Sequence, residues 1–350
     1  MLHGQAILWT ILTAASATSA ADTRWYAFPD AARFKVLGLP WFEANSPRFW
    51  RMPAKSMAGL PKGVQNRSKS PSGARIAFRS DTTRLVVRAG AVGGGALKRF
   101  DMAVDGRLRD SSPAKKGDRE FVLFEGLEAR SKEIVIYLPH LQELTIDAIG
   151  VDEGARITAS TPDFVRSAPV VFYGSSVCQG SGGLHPARTY TATLCRDLNL
   201  DFVNLGFGGA GKAEPNVVDL VESVEACCYV LDLGKSYGAG DGTAYEAMLR
   251  SLRERRPGVP IVAITPITSR KEVEDLAYAE LSLHTRKVMR EAVEKRIKQG
   301  DSKLTLVKGE SLLGFKDHAL LSKDGVHPSD EGYDLIAKRL GRTIREAIGR

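Results

Sequence analysis

The pattern of apolar residues changes near residue 168, and this change constrains the fold more than any other feature of the chain. After it, short apolar segments recur at 169–173, 202–206, 229–233, 260–265 and 303–307. Near-continuous apolar runs of this length are typical of strands buried on both faces of a parallel sheet. Amphipathic stretches such as 243–256 separate them and have the apolar spacing of helices. The alternation predicts a doubly wound α/β domain.

The chain before this point has a different pattern, with short strand-like runs and frequent turn signals. The runs are at 74–78, 84–88 and 133–137, and turn-forming pairs such as Ser72-Gly73 and Asp105-Gly106 punctuate the region. Strands at such close spacing predict an antiparallel β-sandwich. No convincing helical period is present in this half.

The length of 350 residues favours two domains, because a single hydrophobic core rarely grows to this size. We place a β-sandwich domain at 22–155 and an α/β domain at 165–350. The first 21 residues have an apolar run at 6–17 that is too short to span a bilayer, followed by small residues suited to cleavage. We therefore expect a signal peptide at 1–21 and export to the periplasm or the medium. No later stretch is long and apolar enough for a transmembrane helix.

Charge and cysteine content exclude some functions. The net charge of +8 is moderate, and the chain has no long Lys/Arg run or nucleic-acid motif, so we expect no nucleic-acid partner. The four cysteines, Cys178, Cys195, Cys227 and Cys228, lack the paired spacing of a zinc site. Buried free thiols are the default expectation, and a Cys178–Cys195 disulfide remains open. We expect no metal ion.

Two turns rich in Gly and Ser follow the first two apolar segments of the second half. They read GSSV at 174–177 and NLGFGG at 204–209. Ligands of doubly wound sheets bind beyond the carboxyl ends of the strands, so Ser176 is well placed to present its hydroxyl there. Glycine lets backbone N–H groups approach a ligand closely. Each turn alone is also compatible with an ordinary flexible loop.

A third motif, Asp324-Gly325-Val326-His327, precedes the last amphipathic helix, for which Ser329 is the predicted N-cap. A carboxylate three residues before a histidine can hold the imidazole in one tautomer and leave its other nitrogen free to accept a serine proton. Alone, the motif is equally compatible with a structural pair. With the two turns, it predicts a nucleophile, a base and an orienting acid on one crevice.

These three motifs together resemble the SGNH (GDSL-type) hydrolase superfamily over residues 165–350. The resemblance implies a three-layer α/β/α, flavodoxin-like domain that needs neither metal nor organic cofactor. It matches Ser176 to the nucleophile, His327 to the base and Asp324 to the orienting acid. It also matches Gly209 to the glycine that donates its N–H to the oxyanion.

One position departs from the pattern of the superfamily. The third block of these enzymes supplies an Asn side chain to the oxyanion hole, whereas this chain has Ser236 at about that place. Losing one oxyanion donor costs about 3–4 kcal/mol in the barrier. We expect Ser236, or the adjacent Lys235, to substitute for the Asn.

The first half resembles the jelly-roll-like β-sandwich module that precedes the catalytic domain in a subgroup of bacterial SGNH esterases. The matching stretches are GLPWFE at 38–43 and IYLP at 136–139. Kinship with this subgroup implies a serine esterase that hydrolyses short acyl esters, acetyl above all, on carbohydrate. The alternatives are an O-acyltransferase that uses the same acyl-enzyme with a glycan acceptor, and a non-catalytic glycan-binding protein, which the missing Asn favours.

Overall fold

A computed structural model describes residues 22–92, 99–109 and 117–349 of the chain. The predicted signal peptide at 1–21 lies outside these residues. Within them, no helix is long and apolar enough to cross a membrane. All four cysteines are free, and Cys178, Cys195 and Cys228 are buried, so the Cys178–Cys195 disulfide that the sequence left open is not formed.

The first half contains two antiparallel sheets packed face to face, which confirms the predicted β-sandwich. Its strands are β1 (Thr23–Ala27), β2 (Lys35–Leu37), β3 (Arg75–Ser80), β4 (Leu85–Val92), β5 (Asp101–Val104), β6 (Arg107–Arg109), β7 (Glu120–Phe124), β8 (Lys132–Tyr137), β9 (Leu144–Asp152) and β10 (Ile157–Ala159). One sheet has the order β1-β9-β4-β7, and the other has β10-β3-β8-β5-β6 with β2 also paired to β3. Their facing side chains, among them Phe78, Val87 and Ile149, form one core.

The segment between β2 and β3 contains short helices, which no helical period in the sequence had indicated. They are α1 (Phe42–Asn45), a 3-10 helix (Ala54–Gly59) and α2 (Lys62–Ser68). Helices of four to seven residues complete at most two turns, so they leave no apolar period in the sequence. Tertiary packing, through buried residues such as Met57 and Val64, holds them in place.

The second half is a five-stranded parallel sheet with helices on both faces, as predicted. Its strands are β11 (Val170–Gly174), β12 (Phe202–Gly206), β13 (Cys228–Asp232), β14 (Ile261–Ile264) and β15 (Leu304–Val307), in the order β12-β11-β13-β14-β15. The helices are α3 (Ser176–Gln179), α4 (Tyr190–Asp197), α5 (Pro215–Ser223), α6 (Thr243–Arg255), α7 (Lys271–Glu274), α8 (Leu276–Lys298), α9 (Gly309–Leu312) and α10 (Asp330–Ala347), with 3-10 helices at Pro186–Arg188, Gly234–Tyr237 and Phe315–Leu320.

The two faces of this sheet carry separate cores, which explains why its strands are apolar at most positions. Val170 and Phe172 of β11 pack into one cluster, whereas Val171 and Tyr173 pack into the other. The first cluster also includes Ala77 of the sandwich, so the two halves share a packed interface.

The carboxyl ends of three neighbouring strands meet at one edge of the sheet. Gly174, the last residue of β11, is in register with Gly206 of β12 on one side and with Asp232 of β13 on the other. The chain passes from β11 to β12 and then crosses to the opposite side of β11 to form β13. This reversal creates the crevice in which doubly wound folds bind ligands.

Candidate active site

The loop after β11 places Ser176 at the crevice. Ser175 is the N-cap of the four-residue helix α3, and Ser176 is the first residue of that helix. The strand can approach β13 closely only because residue 174 is glycine, since a Cβ there would lie 2.1 Å from the carbonyl oxygen of Asp232. The local sequence therefore ends the strand and turns it at once into a helix whose first side chain faces the crevice.

Ser176, His327 and Asp324 lie together in one hydrogen-bonded chain. The Nε2 atom of His327 is 2.8 Å from Oγ of Ser176, and its Nδ1 atom is 2.7 Å from Oδ2 of Asp324. With Nδ1 donating to the carboxylate, Nε2 is free to accept the serine proton, which is the tautomer a general base requires. The serine is 151 residues from the histidine in sequence, so tertiary folding brings them together.

The second oxygen of Asp324 is held by the loop that carries it. Oδ1 accepts hydrogen bonds from the amides of Val326 at 2.8 Å and His327 at 2.9 Å, and from Oγ of Ser322 at 3.0 Å. Burial opposes ionisation of Asp324, but the hydrogen bonds from the His327 ring and from the two amides outweigh it and hold the pKa of the carboxyl well below its usual range. The carboxylate is therefore ionised at neutral pH.

Hydrogen bonds between its two ends close the loop that carries Asp324 and His327. Leu321 and Pro328 form an isolated antiparallel bridge, and the amide of Ser322 donates to the carbonyl of His327 at 2.7 Å. Ser329 then caps α10 through its side chain, which accepts from the amide of Gly332, as the sequence predicted. The imidazole thus extends from a short clamped loop at the start of a long helix.

Two backbone N–H groups near Ser176 have the properties of oxyanion donors. The amide of Ser176 lies in the first turn of α3, where a helix has no internal acceptors. The amide of Gly209 donates to no other backbone group in the part of the chain that the structure describes. The neighbouring amide of Gly208 is already engaged by Oε1 of Gln179 at 2.7 Å. A Cβ built on Gly208 would lie 3.5 Å from Cβ of Ser176, which places this glycine loop beside the nucleophile.

A cavity of about 230 Å³ opens beside Ser176. Its walls are formed by the loops after β11, β13 and β14 together with the start of α8 and the histidine loop, and the lining residues are Ser175, Ser176, Val177, Asp232, Gly234, Lys235, Ser236, Pro266, Ile267, Tyr278 and Val326. Ser236 is therefore in the same cavity as the nucleophile, where the superfamily has its Asn. The walls are mostly apolar, so the space suits a small acyl group.

Lys235, the other candidate for the position of the missing Asn, is already engaged. Its ammonium donates to Glu272 at 2.5 Å and to Ser269 at 2.7 Å, and it lies 4.9 Å from the ring centre of Tyr278. Burial lowers the pKa of Lys235 to about 8, and the hydrogen bond to Glu272 offsets part of that effect. Glu272 in turn binds the buried Arg286 at 2.7 Å, so the lysine belongs to a buried ionic cluster at the cavity wall.

Sequence reasoning missed a buried carboxyl group in this cavity. Asp232, at the end of β13, accepts a hydrogen bond from the hydroxyl of Tyr190 at 3.0 Å. Burial raises the pKa of Asp232 to about 7, although the Tyr190 hydrogen bond lowers it in part. The available signal was an acidic residue at the end of an otherwise apolar strand. A carboxyl group is costly to bury, so its presence there indicates a functional role.

Residues 167–345 match the GDSL-like lipase/acylhydrolase family, which is more than half of the chain. The chain belongs to this family. The GDSL-like lipase/acylhydrolase match identifies an ester-acting serine hydrolase. Residues 45–147 match a second family, the N-terminal domain of the protein SsfX3, which covers most of the sandwich. No curated protein matches the sequence.

Three solved structures illustrate how this GDSL-like chain is related to others. A GDSL-like protein from Bacteroides ovatus is 23% identical, with a TM-score of 0.81 over 93% of this chain and 98% of the other. The salicylyl-acyltransferase SsfX3 from a tetracycline biosynthetic pathway is 25% identical, with a TM-score of 0.79 over 93% of this chain and 97% of SsfX3. A family two carbohydrate esterase from Clostridium thermocellum, solved with cellohexaose, is 18% identical, with a TM-score of 0.61 over 79% and 93%.

Proposed function

We propose that this GDSL-like hydrolase cleaves short acyl esters of carbohydrate, acetyl esters above all, through an acyl-enzyme on Ser176. The observation that carries the proposal is the hydrogen-bonded chain from Ser176 through His327 to Asp324. Its two heavy-atom distances, 2.8 and 2.7 Å, are those of a nucleophile bound to its base and of a base bound to its orienting acid.

The reaction follows from this geometry. Oγ of Ser176 attacks the ester carbonyl carbon while Nε2 of His327 accepts the hydroxyl proton, and Asp324 stabilises the imidazolium that forms. When the tetrahedral intermediate collapses, the carbon–oxygen bond to the alcohol breaks and the imidazolium protonates the leaving oxygen. Water then attacks the acyl-enzyme with His327 again as base, which releases the acid and restores the serine.

The negative charge of the tetrahedral intermediate requires donors aimed at it. The amides of Ser176 and Gly209 supply two, and Ser236 is the third donor in this proposal because it lines the same cavity. Lys235 is a weaker candidate, because its ammonium is bound to Glu272 and Ser269.

The proposed substrate class has two supports. The cavity of about 230 Å³ beside Ser176 is small and mostly apolar, which favours a short acyl group over a long chain. The fold is shared with a carbohydrate esterase whose structure was solved with cellohexaose. We infer from these that the alcohol of the ester is a sugar hydroxyl outside the cavity.

Transfer of the acyl group to an acceptor is the second candidate function. It is favoured by the likeness to SsfX3, an acyltransferase whose N-terminal domain also matches this chain. Hydrolysis and transfer share the acyl-enzyme and differ only in whether water or another hydroxyl attacks it. Analysis of products with an added glycan acceptor separates the two, since transfer yields an acylated acceptor.

The proposal is tested with p-nitrophenyl acetate and an acetylated xylan on the wild type, Ser176→Ala and the control Ser223→Ala. Ser223 is an exposed serine at the end of α5, so its variant retains wild-type rates. Ser176→Ala is expected to lose kcat by at least about 10⁴-fold. Equal rates in the wild type and Ser176→Ala would overturn the serine mechanism. Glycan binding without labelling of Ser176 by a fluorophosphonate would instead support a non-catalytic binding protein.

We also propose that the protein is exported, on the basis of the signal-peptide pattern at 1–21. Expression of the full chain with fractionation of the cells, followed by N-terminal sequencing, tests this. Recovery of a chain that begins near residue 20–22 from the periplasm or medium supports export. An uncleaved chain in the cytoplasm contradicts it.

A further inference from the structure

Arg51, in the segment between α1 and the first 3-10 helix, is fully buried at 0% exposure and forms no ion pair among the described residues. Its guanidinium donates only to backbone carbonyls: to Ser70 at 2.8 Å, to Arg67 at 2.6 Å, and to Asn204 and Gly206 at 3.0 and 2.6 Å. Burial lowers the pKa of Arg51 to about 9, so it remains cationic at neutral pH. A buried charge is costly unless hydrogen bonds compensate it, and here four hydrogen bonds engage the guanidinium.

Two of the four carbonyls that Arg51 holds belong to the strand that leads into the glycine loop beside Ser176. Asn204 lies in the middle of β12 and Gly206 is its last residue, and the loop follows immediately. Two residues after Gly206, the carbonyl of Gly208 accepts a hydrogen bond from Nε of Arg67 at 3.1 Å. Arginines from the first half of the chain therefore bind alternate carbonyls of residues 204–208.

Peptide geometry connects the Arg67 contact to the oxyanion hole. The carbonyl of Gly208 and the amide of Gly209 belong to one planar trans peptide unit, so their C=O and N–H bonds point in opposite directions. Holding the carbonyl on one side fixes the direction of the N–H on the other. A cation on the carbonyl also polarises the unit, which strengthens its N–H as a donor.

The opposite side of the loop is fixed by α3. Gln179 accepts from the amide of Gly208 through Oε1 and donates through Nε2 to Oγ of Ser70 at 3.0 Å. The loop is thus clamped between the helix of the nucleophile and the 51–70 segment. A Cβ built on Gly208 would lie 3.7 Å from Nε of Arg67 and 3.5 Å from Cβ of Ser176, so the arginine and the nucleophile lie against the same peptide.

We propose that Arg67 is a positioning residue that aims the N–H of Gly209 at the oxyanion, and that Arg51 holds the strand end on which this depends. The first half of the chain is then part of the catalytic apparatus. The inference rests on the proposed function, in which Gly209 is an oxyanion donor. It assigns Arg67 no contact with the reacting atoms.

The test compares Arg67→Ala, Arg67→Lys and the control Arg48→Ala. Arg67 is exposed, so its variants are expected to fold; Arg48 is an exposed arginine of the same region that contacts the ring of Trp50. Arg67→Ala is expected to lower kcat for p-nitrophenyl acetate by about 10- to 100-fold with KM within about twofold, because the oxyanion donor acts in the transition state. Arg67→Lys restores most of kcat, and Arg48→Ala retains it.

A second readout does not depend on catalysis. Hydrogen exchange of a peptide covering 205–211 is expected to be faster in Arg67→Ala than in the wild type and Arg48→Ala, because the loop loses an anchor. Unchanged kcat, a change confined to KM, or no rescue by lysine would each overturn the positioning role. If the wild type hydrolyses no ester, the proposed function fails, and unchanged exchange in Arg67→Ala then also overturns the anchoring.

Discussion

The hydroxyl of Tyr190 donates to Oδ2 of Asp232 at 3.0 Å, and both side chains are buried where β13 ends at the catalytic cavity. No cation in the described part of the chain pairs with this carboxyl, and a single neutral hydroxyl compensates little of the cost of burying it. The native fold therefore favours the protonated acid. Asp324 has the opposite shift, because its hydrogen bonds lower its pKa and keep the carboxylate ionised.

Asp232 is expected to make stability depend on pH. Its pKa rises from 3.8 to about 7 on folding. Below about pH 4 the acid is protonated in both states. Between about pH 4 and 7 the native state holds the proton and the unfolded chain does not, so stability falls as pH rises, by up to about 4 kcal/mol. Urea unfolding at pH 5 and 8 should show about 3 kcal/mol of this fall in the wild type relative to Asp232→Asn, because about two of the three pH units lie above pH 5; equal falls would contradict it.

Asp324→Asn is expected to remove most activity with little effect on substrate binding. The amide retains the size of the carboxylate but does not stabilise the imidazolium, and it favours the wrong tautomer of His327. We expect kcat for p-nitrophenyl acetate to fall by about 10³- to 10⁴-fold with KM nearly unchanged. Steady-state kinetics measures both, and a wild-type kcat would remove Asp324 from the proposed mechanism.

Ser236 is expected to act as the third oxyanion donor. Ser236→Ala should lower kcat about 10-fold or more, because one donor to the transition state is lost. Ser236→Asn introduces the side chain that the superfamily uses and should match or exceed the wild-type kcat. A wild-type kcat in Ser236→Ala would contradict this role and would mean that the backbone amides alone hold the oxyanion.

Glu272 is expected to be essential for stability, because it neutralises two buried cations. Burial opposes its ionisation, but hydrogen bonds from Arg286 and Lys235 outweigh this and lower its pKa. Glu272→Gln preserves shape, removes the carboxylate that pairs with Lys235 and leaves Arg286 only Glu310, at 3.7 Å, as an ion-pair partner among the described residues, which should cost about 3–5 kcal/mol of unfolding free energy. Urea denaturation measures this loss of unfolding free energy. Glu280→Gln is the matched control, because Glu280 is an exposed residue on α8. A loss no larger than that of the control would contradict this role.

Local patterns were sufficient to predict the elements that carry the site. The strands of the parallel sheet were predicted within about two residues at each end, because burial on both faces makes most of their positions apolar. The cap of α10 at Ser329 and the pairing of Asp324 with His327 were also readable, since their partners are three residues apart. Such contacts form within one turn of chain and need no information from elsewhere.

Contacts between distant segments were not predictable in this way. The sequence placed Ser176 at a strand end, but its 2.8 Å approach to His327 depends on how the strands are ordered in the sheet. Nothing around Arg51 indicates that its partners are the carbonyls of residues 204 and 206, more than 150 residues away. A backbone carbonyl is the same group at every residue, so no sequence pattern identifies which one is bound. The sequence by itself thus determined the strands, the helices and the chemistry available at their ends, whereas only the tertiary structure decided which of those ends meet and what holds the glycine loop after β12.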